Sequence, residues 1–309
     1  MIVIIAPPHD VHARSVAADI ESARAEAVIL DLDEFGAGAL LSQSIGSDEW
    51  GTITTGAGRR IAFEEIRSIW ARRVGWPRPG PEVRDPVDRG FIVREWDAAI
   101  DGLLTSAGIE VVSPVWAQNA AVKPLQLALA RRAGLRVPDT LVSNDREAVE
   151  RFVDEHGGRV VHKVLTVATE GIAETRAWRQ GDRAALPDLA YTPTIFQERI
   201  DAAFDVRATV IGSEIFTMRI AVAPGTVDSR FDFDAECEPM ALPSNIEDKL
   251  HRLMKDLNLV FGAIDLRVTP EGEFVFFEVN PQGQFLFVEI ITGLPLSAAL
   301  ASYLLRNER

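Results

Sequence analysis

The stretch Phe261 to Phe285, FGAIDLRVTPEGEFVFFEVNPQGQF, constrains this chain more than any other. Two apolar runs with strand composition flank Glu271-Gly272, a dipeptide suited to a tight hairpin turn. With those residues as the loop, Pro270 pairs with Glu273, and counting outward sets Asp265 opposite Glu278. Strand alternation adds Asn280 to the same face, so oxygen-bearing side chains converge at one end of the hairpin. Like charges facing each other are destabilising unless something cationic lies between them. Two carboxylates and an amide oxygen suit Mg2+, which keeps waters and commonly takes its remaining ligands from nucleotide phosphates. Arg267 lies on that face as well, so a salt-bridged hairpin is the second reading of the same residues.

A chain of 309 residues can bury a sizeable core and form two or three compact units. It has no apolar window long enough to span a bilayer, and its start, MIVIIAPPHD, has the pattern of a buried strand without a basic leader region. The expectation is a cytoplasmic protein with no membrane association. The lone Cys237 excludes an internal disulfide and a cysteine-cluster metal site, and its acidic neighbours Asp234, Glu236 and Glu238 disfavour a thiolate. A net charge of -14 argues against nucleic acid as the main partner, because a phosphate backbone demands clustered Lys and Arg. Neither a Ser-His-Asp nor a Cys-His arrangement is evident, and the histidines lack ligand spacing.

Residues 1 to about 113 read as an α/β unit. Ile2 to Ala6 and Ala27 to Leu32 are strands separated by a helical pattern over Val11 to Ala25, which predicts a small, mainly parallel sheet. The turn Pro7-Pro8-His9-Asp10 lacks a glycine fingerprint, so a dinucleotide site is not supported. Gly36-Ala37-Gly38 and Gly56-Ala57-Gly58 read as loops. Arg72 and Arg73, which end another apolar run, read from the residues as a solvated face. A helix over Phe91 to Ala107 and a strand over Ile109 to Val112 lead to the first expected boundary, at Ser113-Pro114.

Asn119 to Ala133 reads as one helix ended by Gly134, with Lys123 early in it, where a lysine gains nothing from the helix dipole. Asn144-Asp145 caps a further helix, and the strand after it turns Lys163 toward an otherwise apolar face. Such a lysine needs an anion, either a phosphate or a structural carboxylate. Asp205 and Arg207 share one face of the next strand, where they could pair, and Arg219 lies near the end of the returning strand. A site that gathers phosphates also needs guanidinium groups to spread developing charge, and Arg207 and Arg219 are the candidates for that catalytic role.

Several spaced motifs extend the reading beyond the hairpin. D-L-x(11)-E-V-N-P, preceded by F-Q-E-x-I-x(4)-D-x-R, resembles the ATP-grasp carboxylate ligases. I-W-A-R-R, N-x(3)-K-x(2)-Q-L-x-L-A, P-T-I-F-Q-E and E-V-N-P-x-G-Q-F-x-F-V-E are similar to a narrower group, the maturases that make ω-ester and ω-amide crosslinks in microviridin-like peptides, the graspetides. The resemblance implies an α/β ATP-grasp fold with an N-terminal Rossmann-like pre-ATP-grasp domain at 1–113, a lid at 114–195 and a core with the metal site at 196–309. It implies ATP and Mg2+ as cofactors, with the metal on Asp265, Glu278 and Asn280. Lys123 and Lys163 would contact phosphates, Gln197, Glu198 and Ile200 would border adenine and ribose, and Asp205 would join the nucleotide site. The segment Thr166 to Gly171 departs from the glycine-rich phosphate flap of ATP-grasp enzymes, and DSRFDFD only approximates an Asp-aromatic-Arg motif of related maturases.

The implied chemistry is attack of a substrate carboxylate on the γ-phosphorus of ATP, followed by displacement of phosphate by an amine or hydroxyl. The implied partner is a ribosomal precursor peptide with a leader and an acidic core, and homodimerisation stays open. The acidic stretch Asp228 to Glu238 and the loop Gly75 to Pro86 offer extended surfaces for such a peptide. A free-standing amino-acid or glutamate ligase shares the same ATP site and is the alternative. A non-catalytic nucleotide-binding module is opposed by the intact Asp265, Glu278 and Asn280.

Overall fold

The apolar run Ile2–Ile5 (β1) is buried at every position, as expected for a strand with parallel neighbours on both sides. The computed structural model describes residues 1–45, 51–106, 108–166, 175–223, 225–227 and 235–306. They form two compact units. The first comprises Met1–Asn119, Asn258–Phe261 and Pro281–Arg309, and the second Ala120–Leu257 and Gly262–Asn280.

In the first unit, helix α1 (Val11–Ser22) follows β1 and is capped by Asp10, whose carboxylate accepts the Ala13 N–H at 2.9 Å. Next come β2 (Ala27–Leu30) and then β3 (Leu40–Gln43), β4 (Gly51–Thr54) and β5 (Arg60–Ala62), which form a separate antiparallel sheet. The glycines expected in loops are there: Gly58 closes the β4–β5 turn by donating to the Thr55 carbonyl at 2.8 Å. After β6 (Ser68–Ala71), helix α2 (Pro86–Ser106) and β7 (Glu110–Val112), the main sheet is complete in the order β2-β1-β6-β7, parallel throughout. Val3, Ile5, Leu30, Phe35, Phe63, Ile69 and Leu103 lie in its core. Helix α3 (Val115–Ala120), all but its last residue, and the C-terminal helices Leu286–Thr292 and Leu296–Leu305 also belong to this unit.

The single helix expected over Asn119 to Ala133 is interrupted, and α4 (Lys123–Arg132) starts afresh in the second unit. Pro124 explains the restart, since a residue without an N–H fits only the first turn of a helix. Lys123 thereby becomes the first residue of α4. The second unit holds β8 (Thr140–Ser143), α5 (Arg146–Glu155), β9 (Val160–Lys163), β10 (Arg176–Ala177) and β11 (Thr194–Glu198), with an antiparallel sheet in the order β10-β9-β11-β8. Val149 and Val153 of α5 pack against Val160 and Phe196. A second sheet follows from β12 (Phe204–Ile211), β13 (Glu214–Ala221), β14 (Cys237–Pro239), helix α6 (Ser244–Asp256), β15 (Phe261–Val268) and β16 (Phe274–Asn280), in the order β14-β13-β12-β15-β16. Among the described residues, no helix is long and apolar enough to cross a membrane.

Candidate functional site

The β15–β16 hairpin brings the candidate ligands together by a route that differs from the expected one. Pro270 and Glu271 form the turn: the Gly272 N–H donates to the Thr269 carbonyl at 2.9 Å, and Thr269 N–H donates to the Glu273 carbonyl at 3.0 Å. Gly272, at φ 87°, takes the left-handed position that such a turn requires. The loop is thus one residue longer than Glu271-Gly272, and Val268 faces Phe274 rather than Val275. Carried on, that register would set Asp265 against Phe277. A bulge at Phe277 absorbs the difference: Leu266 pairs with Phe276, Asp265 with Glu278 and Ala263 with Asn280.

Arg267 braces this bulge. Its guanidinium lies over the Phe277 ring at 5.5 Å from the centroid, and it is buried. Nε and Nη2 donate to the two oxygens of Asp205 at 2.7 and 2.9 Å, and Nη1 donates to the Ile200 carbonyl at 3.1 Å. Asp205, expected at the nucleotide, therefore holds Arg267. Arg207, the candidate catalytic guanidinium that alternation also allowed to pair with Asp205, donates to Asp265 Oδ1 at 2.6 Å. Lys123 Nζ lies 3.5 Å from Glu278 Oε2 and equally far from the Leu165 carbonyl oxygen. Each of the facing carboxylates has a cation beside it and keeps part of its surface open, with side-chain exposures of 29% and 23%. Asn280 is exposed.

The remaining candidates are dispersed. Lys163 ends β9, half-buried opposite Ile195. Gln197 points inward: its amide donates to Thr140 Oγ1 at 3.0 Å, its side chain is buried, and its backbone lies in β11 between β9 and β8. Glu198 is half-buried with Arg136 at 3.8 Å, and Ile200 is buried. Arg219 donates to Glu238 at 2.9 Å and lies over the Phe204 ring at 4.8 Å. Residues 167–174, which contain most of the expected flap, and 228–234, most of the acidic aromatic stretch, lie outside the described residues. In the first unit, Arg72 is buried to 1% exposure, so the solvated-face reading fails for it. Its Nη1 donates to the Gln282 carbonyl and its Nε lies 3.5 Å from Asp10 Oδ1. Beside it, burial and the Arg72 charge hold the His12 pKa down at about 4.

Spacing along the chain did not single out Arg267 or Gln126 as parts of the site. Alternation places Arg267 on the ligand face only as a rival to metal binding, and Gln126 falls within N-x(3)-K-x(2)-Q without a role of its own. The available signal is that Gln126 falls one helical turn after Lys123.

Among the described residues, no group of three or more His, Cys, Asp or Glu is placed to hold a metal. The set on the hairpin is a smaller one, two facing carboxylates and a nearby amide. Its chemistry fits Mg2+, which needs few protein ligands when phosphates and water complete its shell. The cations Arg207 and Lys123 beside the carboxylates mark a place where negative charge has to be balanced.

The profile of the MvdD pre-ATP grasp domain matches residues 1–119. The structure resembles macrocyclase MdnC from Microcystis aeruginosa MRC, solved bound with precursor peptide MdnA, with TM-score 0.88 and 31% identity over 99% of this chain and 100% of that one. It also resembles a Chryseobacterium gregarium RiPP-associated ATP-grasp ligase, solved with ADP and a leader and core peptide, with TM-score 0.87 and 26% identity over 100% of this chain and 97% of that one. ATP-grasp ligase PsnB, complexed with a phosphomimetic variant of a minimal precursor, Mg and ADP, gives TM-score 0.81 and 25% identity over 100% of this chain and 98% of that one. A curated relative, the vancomycin C-type resistance protein VanC1 of Enterococcus gallinarum, is 26% identical over 226 residues. That match takes in 67% of this chain and 65% of VanC1, so the chain spans less than two thirds of the curated relative's length.

The hairpin site and these likenesses define an ATP-grasp fold preceded by a pre-ATP-grasp domain. Within that fold, the chain belongs to the graspetide-type ATP-grasp peptide maturases.

Proposed function

We propose that this chain is an ATP-dependent ligase that activates Asp or Glu side chains of a ribosomal precursor peptide and joins them to Ser, Thr or Lys side chains as macrocyclic esters or amides. The observation that carries the reading is Asp265 set opposite Glu278, with Arg207 and Lys123 beside them, in a chain of this family. An oxygen of the substrate carboxylate attacks the γ-phosphorus, the bond to the ADP oxygen breaks, and an acyl phosphate forms. The hydroxyl or amine then attacks the acyl carbon, loses its proton, and expels inorganic phosphate. Two anions must meet in the first step, and the obstacle is their charge.

The residues divide that task. Asp265, Glu278 and Asn280 would hold Mg2+, which when bound gathers the phosphates and screens their charge. Arg207 and Lys123 sit beside the facing carboxylates, where they can turn from the protein's own carboxylates to the incoming phosphates. Lys163 supplies a further cation, and the segment 197–200 at the end of β11 is the candidate hinge that borders adenine and ribose. Arg219 is the candidate for the reacting carboxylate. A leader segment docking apart from the acidic core, in a cytoplasmic setting, completes the reading. The alternative, a free-standing amino-acid ligase, has no specific observation in its favour.

Nucleotide turnover tests the reading. The wild-type chain should release ADP faster when its precursor is added, and Glu278→Ala should abolish that release with the melting temperature retained. ADP release by Glu278→Ala that matches the wild type at limiting Mg2+ contradicts the assignment.

A further inference from the structure

Helix α4 is fastened to the outer strand of the second sheet by side chains one turn apart. Lys123 reaches Glu278, and Gln126 reaches the residue after it. Gln126 Oε1 accepts the Val279 N–H at 2.9 Å, while its Nε2 donates to the Val279 carbonyl at 2.8 Å and also to the Ala121 carbonyl. Gln126 is 3% exposed.

A glutamine side chain carries a donor and an acceptor side by side, as one residue of a strand does. β16 is the last strand of its sheet, and among the described residues no strand continues the ladder on its far side, where Arg136 bridges at Val275 and accepts the Phe276 N–H at 2.8 Å but leaves Val279 beyond its reach. Gln126 stands in for one residue of the missing strand, at Val279. The position matters because Val279 lies between Glu278 and Asn280, and because the bulge at Phe277 interrupts the regular ladder just before it. The Val279 side chain is confined too: a Cβ on Gly262 would come within 2.6 Å of its Cγ2. Rotation of the peptide groups on either side of Val279 would swing Glu278 and Asn280 apart, and the paired bonds from Gln126 oppose that rotation.

We propose that Gln126 is a positioning residue of the hairpin site: by clamping the Val279 backbone it fixes Glu278 and Asn280 as a pair of oxygen donors. The proposal rests on the metal reading above, and groups that orient ligands without touching the metal change affinity by about 10- to 100-fold when removed. If Gln126 did no more than satisfy a buried strand edge, its loss would lower stability and leave metal affinity alone.

The test is Mn2+ binding to the full chain in the presence of ADP, followed by the paramagnetic resonance signal of free Mn2+, with melting temperatures measured alongside. Gln126→Met removes both bonds to Val279. Gln126→Glu keeps the size and the acceptor but loses the donor, and it carries the test if the first variant does not fold. Each variant should weaken Mn2+ binding by about tenfold while leaving metal-free ADP affinity within about twofold. Leu129→Ala, a cavity elsewhere on α4, should lower the melting temperature and leave Mn2+ affinity unchanged. Folded Gln126 variants that bind Mn2+ as the wild type does overturn the proposal, and so does an equal loss in Leu129→Ala. Glu278→Ala separates the layers: if it still binds Mn2+, the metal reading itself fails, whereas if it alone loses Mn2+, only the role of Gln126 fails.

Discussion

Arg267→Met is predicted to destabilise the second unit severely, because it strands a buried carboxylate. The Arg267 and Asp205 side chains are 4% and 12% exposed, and two of the guanidinium nitrogens are spent on the one carboxylate. Removing one partner of such a pair costs about 3–5 kcal/mol, chiefly because the remaining charge stays out of water. The lost stacking on Phe277 adds about 0.5–1 kcal/mol. For a unit of this size each kcal/mol moves the melting temperature by roughly 2–4 °C, so the shift should be about 7–24 °C. The double variant Arg267→Met with Asp205→Leu should recover much of the loss, since an apolar replacement of both partners is often neutral or stabilising. Urea unfolding of the wild type, both single variants and the double variant gives the coupling directly, expected at about 2–3 kcal/mol. A single Arg267→Met variant within about 1 kcal/mol of the wild type, or a coupling near zero, would refute the reasoning and return Asp205 to the nucleotide.

Other perturbations probe other parts of the account. Gly262→Ala places a Cβ within 2.6 Å of Val279 Cγ2 and 2.8 Å of Met254 Cε, and should cost about 1–3 kcal/mol in urea unfolding; an unchanged midpoint would mean that the neighbours yield freely. His12, buried next to Arg72, has its pKa lowered from 6.5 to about 4, so the unfolded chain binds the proton more readily than the folded one. Its contribution is complete above pH 6.5 and is lost as pH falls toward 4, by up to about 3 kcal/mol, and His12→Gln should flatten that part of the stability profile. Lys163→Met should weaken binding of a non-hydrolysable ATP analogue more than Lys123→Met, because a strand lysine is better fixed than one at a helix start. Equal affinities in calorimetric titration would count against that order.

The sequence makes the facing of Asp265 and Glu278 legible, although two departures cancel in producing it. The glycine at 272 permits either a two-residue or a three-residue loop, and the longer one forms; the bulge at Phe277, invisible in a regular alternation, restores the register. The parallel sheet of the first unit follows from continuous apolar runs such as Ile2–Ile5. The β3–β5 sheet was not expected, because a strand such as Leu40–Gln43 is mostly exposed and has no buried face to impose a period. Partner choice among charges was the least legible part. Alternation says which face Arg207 and Arg267 occupy, but not that each reaches across to a neighbouring strand, to Asp265 and Asp205. The break before Lys123 could have been read from Pro124, which belongs in a first turn.

Intact mass of the precursor peptide tests the central claim most directly. The chain would be incubated with ATP, Mg2+ and the short peptide rich in Thr, Glu and Asp that a neighbouring reading frame should encode. The account predicts that the peptide loses the mass of a water molecule for every linkage formed, and that a core lacking its leader reacts poorly. A gain in mass from added glutamate or another amino acid would contradict it and assign the chain to the free-standing ligases.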